Sequence, residues 1–404
     1  MALDLAKTAL QIDSMTLAID GRSDQVLERV INAVSAMKRL DPKVYAKKTQ
    51  DSEGMFKWGT PAILEEPGKT FPPPKVPVEH KVIGVDGSHI DVDRHIPAHC
   101  YLINTGLVSL NYGPTPSVVM RNDPSLYFES EETFITDLHG STDSMKITGS
   151  LLGAVRTVKE IDILRDAITD GNDDIPVVGL MDGTLIMLDL IRAGFPDYVL
   201  KQVLQGGFLS AMSDIRDLSK DKPLAIGSYI SLPGTSEVVD ALRLSVCPYT
   251  VSDCASHCAS VSASHRPCDE VSHEILDRQI FEHHLPHGHR SPIFGSSSRM
   301  VEKFYGGNLV GFFYVNVGEE IARIEVPEWV YTDKEKIDLI HAVILNQCML
   351  GPGYPTALME AHEQAVISTS DRLFFLNSIE GAFESQGVKF YTSQKNRSKR
   401  LRWL

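Results

Sequence analysis

Gly84-Val85-Asp86-Gly87-Ser88 closes an apolar run with an aspartate, then a glycine and a hydroxyl residue, and Leu180-Met181-Asp182-Gly183-Thr184 repeats the arrangement. The apolar runs from Val82 to Val85 and from Pro176 to Met181 are short and partly β-branched, which reads as two buried strands. An Asp-Gly pair alone only starts a turn. The matched pair predicts more: if the strands lie parallel, Asp86 and Asp182 stand side by side, and two adjacent carboxylates call for a divalent cation between them.

The elements between the two aspartates set the fold class. After the strand ending at Asp86, Cys100 to Leu110 and Pro116 to Met120 read as two further strands. Gly149 to Ile168 reads as a helix, and the strand ending at Asp182 follows. Strand, strand, strand, helix, strand predicts an antiparallel meander whose fourth strand returns parallel to the first. This is an α/β chain with an RNase H-like mixed sheet flanked by helices. The helix can deliver a third carboxylate, with Glu160, Asp162 and Asp166 as candidates and Glu160 preferred.

Outward from this centre, Gln25 to Leu40 places Val26, Leu27, Val30, Ile31, Val34 and Met37 at amphipathic spacing, and Asp41-Pro42 supplies a stop. The organisation expected is an N-terminal helical segment (1–50), a Pro/Gly-rich linker (51–80) containing Pro72-Pro73-Pro74, and an RNase H-like domain (81–404) ending in helices. Gly68-Lys69-Thr70 lacks the upstream glycine of a phosphate loop, so no nucleotide-driven motor is expected. Near the C-terminus, Gly351-Pro352-Gly353-Tyr354-Pro355 reads as a loop entering a helix. Tyr354, Leu358 and His362 then fall near one helical face, and neutral imidazole is a good manganese ligand beside carboxylates.

Composition bounds the surroundings. The 404 residues are 43% hydrophobic, enough for a sizeable core. No membrane-length apolar stretch is present, Met1-Ala2-Leu3-Asp4 does not begin a signal peptide, and six cysteines suit a reducing compartment. A soluble, cytoplasmic protein is expected. Thirty-nine basic against 53 acidic residues give a net charge of −14, which opposes nucleic acid at long range. The tail reverses this locally: Lys389, Lys395, Arg397, Lys399, Arg400 and Arg402 alternate with Phe390, Tyr391 and Trp403 without an acid, a pattern suited to phosphates and bases.

Together with Asp182-Gly183-Thr184-Leu185, Ile324-Glu325-Val326-Pro327 and Gly353-Tyr354-Pro355 through Glu360-Ala361-His362, the opening motif resembles the NurA family of nucleases over roughly residues 80 to 400. The resemblance implies a homodimeric RNase H-like enzyme that processes DNA ends beside a hexameric HerA-like translocating ATPase. It further implies 5′ to 3′ exonuclease and single-strand endonuclease activity with Mn²⁺ or Mg²⁺, one or two ions held by Asp86, Asp182, Glu160, Tyr354 and His362. Two other readings stay open: a metal-independent DNA-binding clamp, in which the aspartates are turn residues, and an RNA-processing RNase H-like enzyme.

One segment stands apart. Cys247, Cys254, Cys258 and Cys268 lie within twenty-two residues, with His257, His265, His273, His283, His284, His287 and His289 among or just after them, making a Cys/His-rich segment at 247–289. That density suggests zinc or an iron-sulfur cluster, although the spacing lacks the paired two-residue gaps of common zinc sites. The histidines are alternatively part of a DNA groove, and the cysteines a reduced loop.

Overall fold

In the computed structural model the described residues are 4–56, 58–91, 99–137, 143–171, 174–262, 265–296 and 298–387, and the basic tail at 389–402 lies outside them. Two compact units result. One comprises Met1–Pro73, Ile230–Arg299 and Gly311–Glu325; the other comprises Pro74–Tyr229, Met300–Val310 and Val326–Leu404.

The second unit carries both aspartates. Its strands are β1 (His80–Asp91), β2 (Tyr101–Tyr112), β3 (Ser117–Tyr127), β4 (Val177–Asp182) and β5 (Leu224–Ile230). They lie in the order β5-β4-β1-β2-β3. β1, β2 and β3 form the antiparallel meander, while β4 runs parallel to both β1 and β5. Helix α1 (Gly149–Thr169) joins the meander to β4. This is an RNase H-like mixed sheet.

Strand ends differ from the sequence reading. β1 does not stop at Asp86 but runs on to Asp91, because its ladder with β2 continues to Asp91↔Tyr101 after β4 has ended at Asp182. β3 extends to Tyr127 through Pro124, which an outer strand tolerates. Beneath the sheet, Ile83 and Val85 pack with Leu151, Leu152, Ile161 and Leu164 of α1. Two C-terminal helices follow, α2 (Lys334–Leu350) and α3 (Thr356–Ala365).

The first unit begins with a helix over Leu5–Arg39 and a second over Pro42–Asp51, the Asp41 carboxylate capping the latter at Lys43 N and Val44 N. The long helix buries Val30, Ala33, Ala36 and Met37 against Phe281, Phe294 and Phe312. Leu27 and Ile31, expected in that stripe, are 44% and 53% exposed because they fall one turn apart on the other side of the helix.

Residues 51–80, read as a linker, are tied down over their first two-thirds. Ala62–Ile63 pairs with Phe294–Gly295, and Glu65 takes both Nη atoms of Arg290 at 2.7 and 3.2 Å. The Arg290 guanidinium also lies 3.8 Å above the Phe71 ring. In the same unit Glu325 shares the buried Arg323 guanidinium, at 3.0 Å, with Glu237 at 2.9 Å. Among the described residues no helix is long and apolar enough to cross a membrane.

Candidate active site

Asp86 and Asp182 are brought together by register. Val85 of β1 faces Met181 of β4, so the next residue on each parallel strand is an aspartate. Side chains alternate along β1, and the motif uses both faces. Gly84, Asp86 and Ser88 face α3; Gly87 faces α1. Two glycines let α3 settle against the strands: a Cβ at Gly84 would lie 2.4 Å from the Ala357 carbonyl oxygen, and one at Gly106 would lie 2.1 Å from that of Ala361. Gly106 is the partner of Asp86 across the β1–β2 ladder. The close approach therefore carries His362, one residue past Ala361, to the carboxylate.

His362 Nδ1 lies 2.7 Å from Asp86 Oδ2, and the Gly87 N–H donates to Asp86 Oδ1 at 2.7 Å. The end of α3 is held by the cross-strand pair Ser88 and Asn104. Asn104 Nδ2 donates to the Gln364 and Ala365 carbonyls at 3.1 and 2.8 Å, and the Ser88 hydroxyl donates to the Ala365 carbonyl. These bonds satisfy carbonyls that a helix C-terminus otherwise leaves to water. The helix start is fixed by Gln347 of α2, whose Oε1 accepts from Ala357 N at 3.0 Å. Gly353, at φ +93°, makes the turn that presents Tyr354.

Tyr354 donates its hydroxyl to Asp182. Its ring stands edge-on to Tyr229, which neighbours Asp182 in β5. Asp182 is exposed at its strand end, yet surrounding protein and then Asp86 push its carboxyl above the ordinary range, against the Tyr354 and Gly183 donors and His362.

Of the three helix carboxylates, Glu160 is the one at the aspartates. It is 5% exposed, and burial first, then Asp86 and Asp182, push its pKa up to about 8 despite Arg156. The Arg156 Nε lies 2.9 Å from Glu160 Oε1, an ion pair across one turn of the helix. A Cβ on Gly87 would sit 2.6 Å from that same oxygen. Asp162 and Asp166 instead engage Arg165, at 3.0 and 2.9 Å.

The sequence reading passed over His89, which follows Gly87 on the same face of β1 and is held below its ordinary pKa by burial and then by Arg156. It also passed over Asn104 and the packing role of the strand glycines. Glycine inside a strand pattern is the signal that marks such close approaches.

The four cysteines of the Cys/His-rich segment all line one pocket of the first unit, and all are free thiols. The histidines disperse: His257 stacks on Tyr249, His284 meets the Gly68 carbonyl at 3.1 Å, and His289 meets Thr70 at 3.2 Å. Among the described residues no three His, Cys, Asp or Glu side chains already converge on a single point as metal ligands do, at the carboxylates or at the cysteines.

A family model, the NurA domain, matches residues 80–367. The chain belongs to the NurA family of nucleases. Three solved structures of the family are similar to it: a crystal structure of NurA (11% identity, TM-score 0.38, covering 77% of this chain and 90% of that one), NurA bound to dAMP and manganese (12%, 0.38, 94% and 98%), and NurA with manganese (10%, 0.35, 88% and 96%). No curated protein matches.

Proposed function

We propose that this NurA-family chain hydrolyses phosphodiester bonds in DNA with the help of one or two divalent ions, Mn²⁺ or Mg²⁺. The observation that carries the reading is the pairing of Asp86 and Asp182 at neighbouring positions of parallel strands, with the buried Glu160 carboxyl close enough to feel the charge of both. Three carboxyls at the end of a sheet repel one another unless a cation or a proton is shared among them.

The donor set fits such ions. Carboxylate oxygens with one imidazole suit magnesium and manganese. Asp86, Asp182, Glu160 and His362 would hold the metal, with Tyr354 at its margin. When bound, the ions supply charge neutralisation and an acidified water. The protein's own groups prepare the place. The hydrogen bond from Gly87 N fixes the Asp86 carboxylate, and that from Tyr354 fixes Asp182. Arg156 balances part of the charge of Glu160 when that carboxyl ionises. His362, largely solvent-exposed, sits on the open side beside Asp86, where its imidazole is accessible to an ion.

The crystal structure of a relative bound to dAMP and manganese supports a nucleotide substrate and this metal. Family membership supports the finer reading: 5′ to 3′ exonuclease and single-strand endonuclease activity, a homodimer, and work in the cytoplasm on DNA ends fed by a HerA-like hexameric ATPase. Incubation of the purified protein with matched single-stranded DNA and RNA, with Mn²⁺, Mg²⁺ or EDTA, tests the reading. Cleavage of DNA that disappears in EDTA is expected. Cleavage of RNA alone points to an RNA-processing enzyme, and tight DNA binding without cleavage under any metal points to a clamp.

A further inference from the structure

β1 outruns its parallel neighbour. β4 ends at Asp182, whereas β1 continues through Gly87 to Asp91 with β2 alone beside it among the described residues. We propose that Arg156, Arg372 and His89 hold, beside this outer stretch of β1, a backbone phosphate of the DNA strand that flanks the phosphate cleaved. The inference rests on the carboxylates being the cleavage site, and it supplies the groups that lay the strand across them.

The first observation is space. The side of α1 that meets this stretch carries Gly149, Gly153, Arg156 and Glu160, separated by four, three and four residues as one helical face requires. Its start is fixed by Asp91, whose Oδ2 accepts from Gly149 N at 2.8 Å, and Arg156 and Glu160 lie over Gly87. A Cβ on Gly149 or Gly153 would meet no atom within 4 Å, so no side chain or backbone fills the space next to these positions.

The second is charge. Arg156 places Nε 2.9 Å from Glu160 Oε1 and keeps 33% of its side chain exposed. A guanidinium presents five donors in a planar fork, so one contact with a carboxylate leaves others for a phosphate. Arg372 opens a further helix, α4 (Thr369–Ser385), and donates from Nη2 to the His89 carbonyl at 3.2 Å. Arg156 answers Glu160, but a carbonyl needs no cation. In a chain of net charge −14, a second guanidinium at this place suits an anion brought from outside.

The third is an unspent polar atom between the two arginines. His89 follows Gly87 on the face turned to α1, and its imidazole feels both Arg156 and Arg372, with Asp91 opposing them. The Asp91 carboxylate is already engaged by Gly149 N. His89 Nδ1 has no hydrogen-bond partner, and a phosphate oxygen accepts from an imidazole N–H as it does from a guanidinium.

Binding of a labelled single-stranded DNA tests this, read by fluorescence anisotropy in Ca²⁺, which takes the same oxygen ligands as the catalytic ions. Arg372→Ala is the main variant, because Arg372 is exposed on a helix that buries none of its residues. It should bind about tenfold more weakly, with a salt slope shallower by about 0.7. In Mn²⁺-dependent cleavage KM should rise while kcat stays within about threefold. A set of strands, each with one neutral methylphosphonate linkage, then identifies the phosphate. At one linkage flanking the cut the parent should lose the same affinity, and there Arg372→Ala and His89→Gln should each lose nothing more. Losses that add at every linkage would assign these side chains to holding the fold and overturn the proposal, as would an Arg372→Ala protein that binds like the parent. A protein that binds in this pattern but never cuts refutes the nuclease reading alone; one that cuts normally with additive losses refutes only the phosphate site.

Discussion

Gly87→Ala is the sharpest probe of the carboxylate site. The added methyl would lie 2.6 Å from Glu160 Oε1 and 3.0 Å from Arg156 Cγ, against 3.4 Å at the near edge of ordinary contact. Glu160 must therefore retreat by about 0.8 Å, and it cannot retreat into water because it is only 5% exposed. A misplacement of about 1 Å at a catalytic group costs about 10²-fold in rate. Local overpacking should cost about 1–3 kcal/mol of stability, in part relieved by the flexible Arg156. The substitution leaves the bond from residue 87 N to Asp86 in place, so the aspartates keep their geometry. Initial rates of Mn²⁺-dependent cleavage of a labelled single strand, with a thermal melt of the same samples, measure both effects. A variant that melts within a few degrees of the parent and cleaves within threefold of its rate would refute the assignment of Glu160.

Three further outcomes follow from other contacts. Asp86→Asn and Asp182→Asn should each abolish cleavage while leaving the metal-free protein as stable as the parent or more so, since either change removes a charge that pushes up Glu160; a metal titration by calorimetry should show weakened binding, and normal affinity would argue for a turn role. Asp277, fully buried and pushed to about 7 by burial, is protonated in the folded protein over a range in which the unfolded chain is ionised. Its contribution is complete below the unfolded value of 3.8 and lost as pH rises through about 7, so the melting temperature in EDTA should fall between pH 4 and 7 by more in the parent than in Asp277→Asn, and equal slopes would dismiss this linkage. Asn104→Ala removes both side-chain bonds to the end of α3 and should cost about 1–3 kcal/mol, with faster hydrogen exchange in Gln364 and Ala365; unchanged exchange there would assign the end of the helix to packing alone.

What the sequence disclosed and what it withheld divide along physical lines. Strand periodicity and the Asp-Gly repeats are local, so β1, β4 and the pairing of Asp86 with Asp182 are legible in the sequence. The choice of helix carboxylate was partly legible. Glu160 interrupts the buried stripe of Ile161, Leu164 and Ile168, and an acid on a core-facing stripe must answer to something; a neighbouring arginine does not separate the candidates, since Arg156 pairs with Glu160 as Arg165 pairs with Asp162. The glycine contacts were hidden for another reason: Gly84 meets Ala357 across some 270 positions, and no window of neighbouring residues contains that distance. The same limit governs the cysteines. Irregular spacing argued against zinc, yet spacing says nothing about Trp58, which reaches the pocket from nearly two hundred residues away and brings an unpaired N–H with it. A pocket wall assembled from residues so distant along the chain is legible only once the chain has folded.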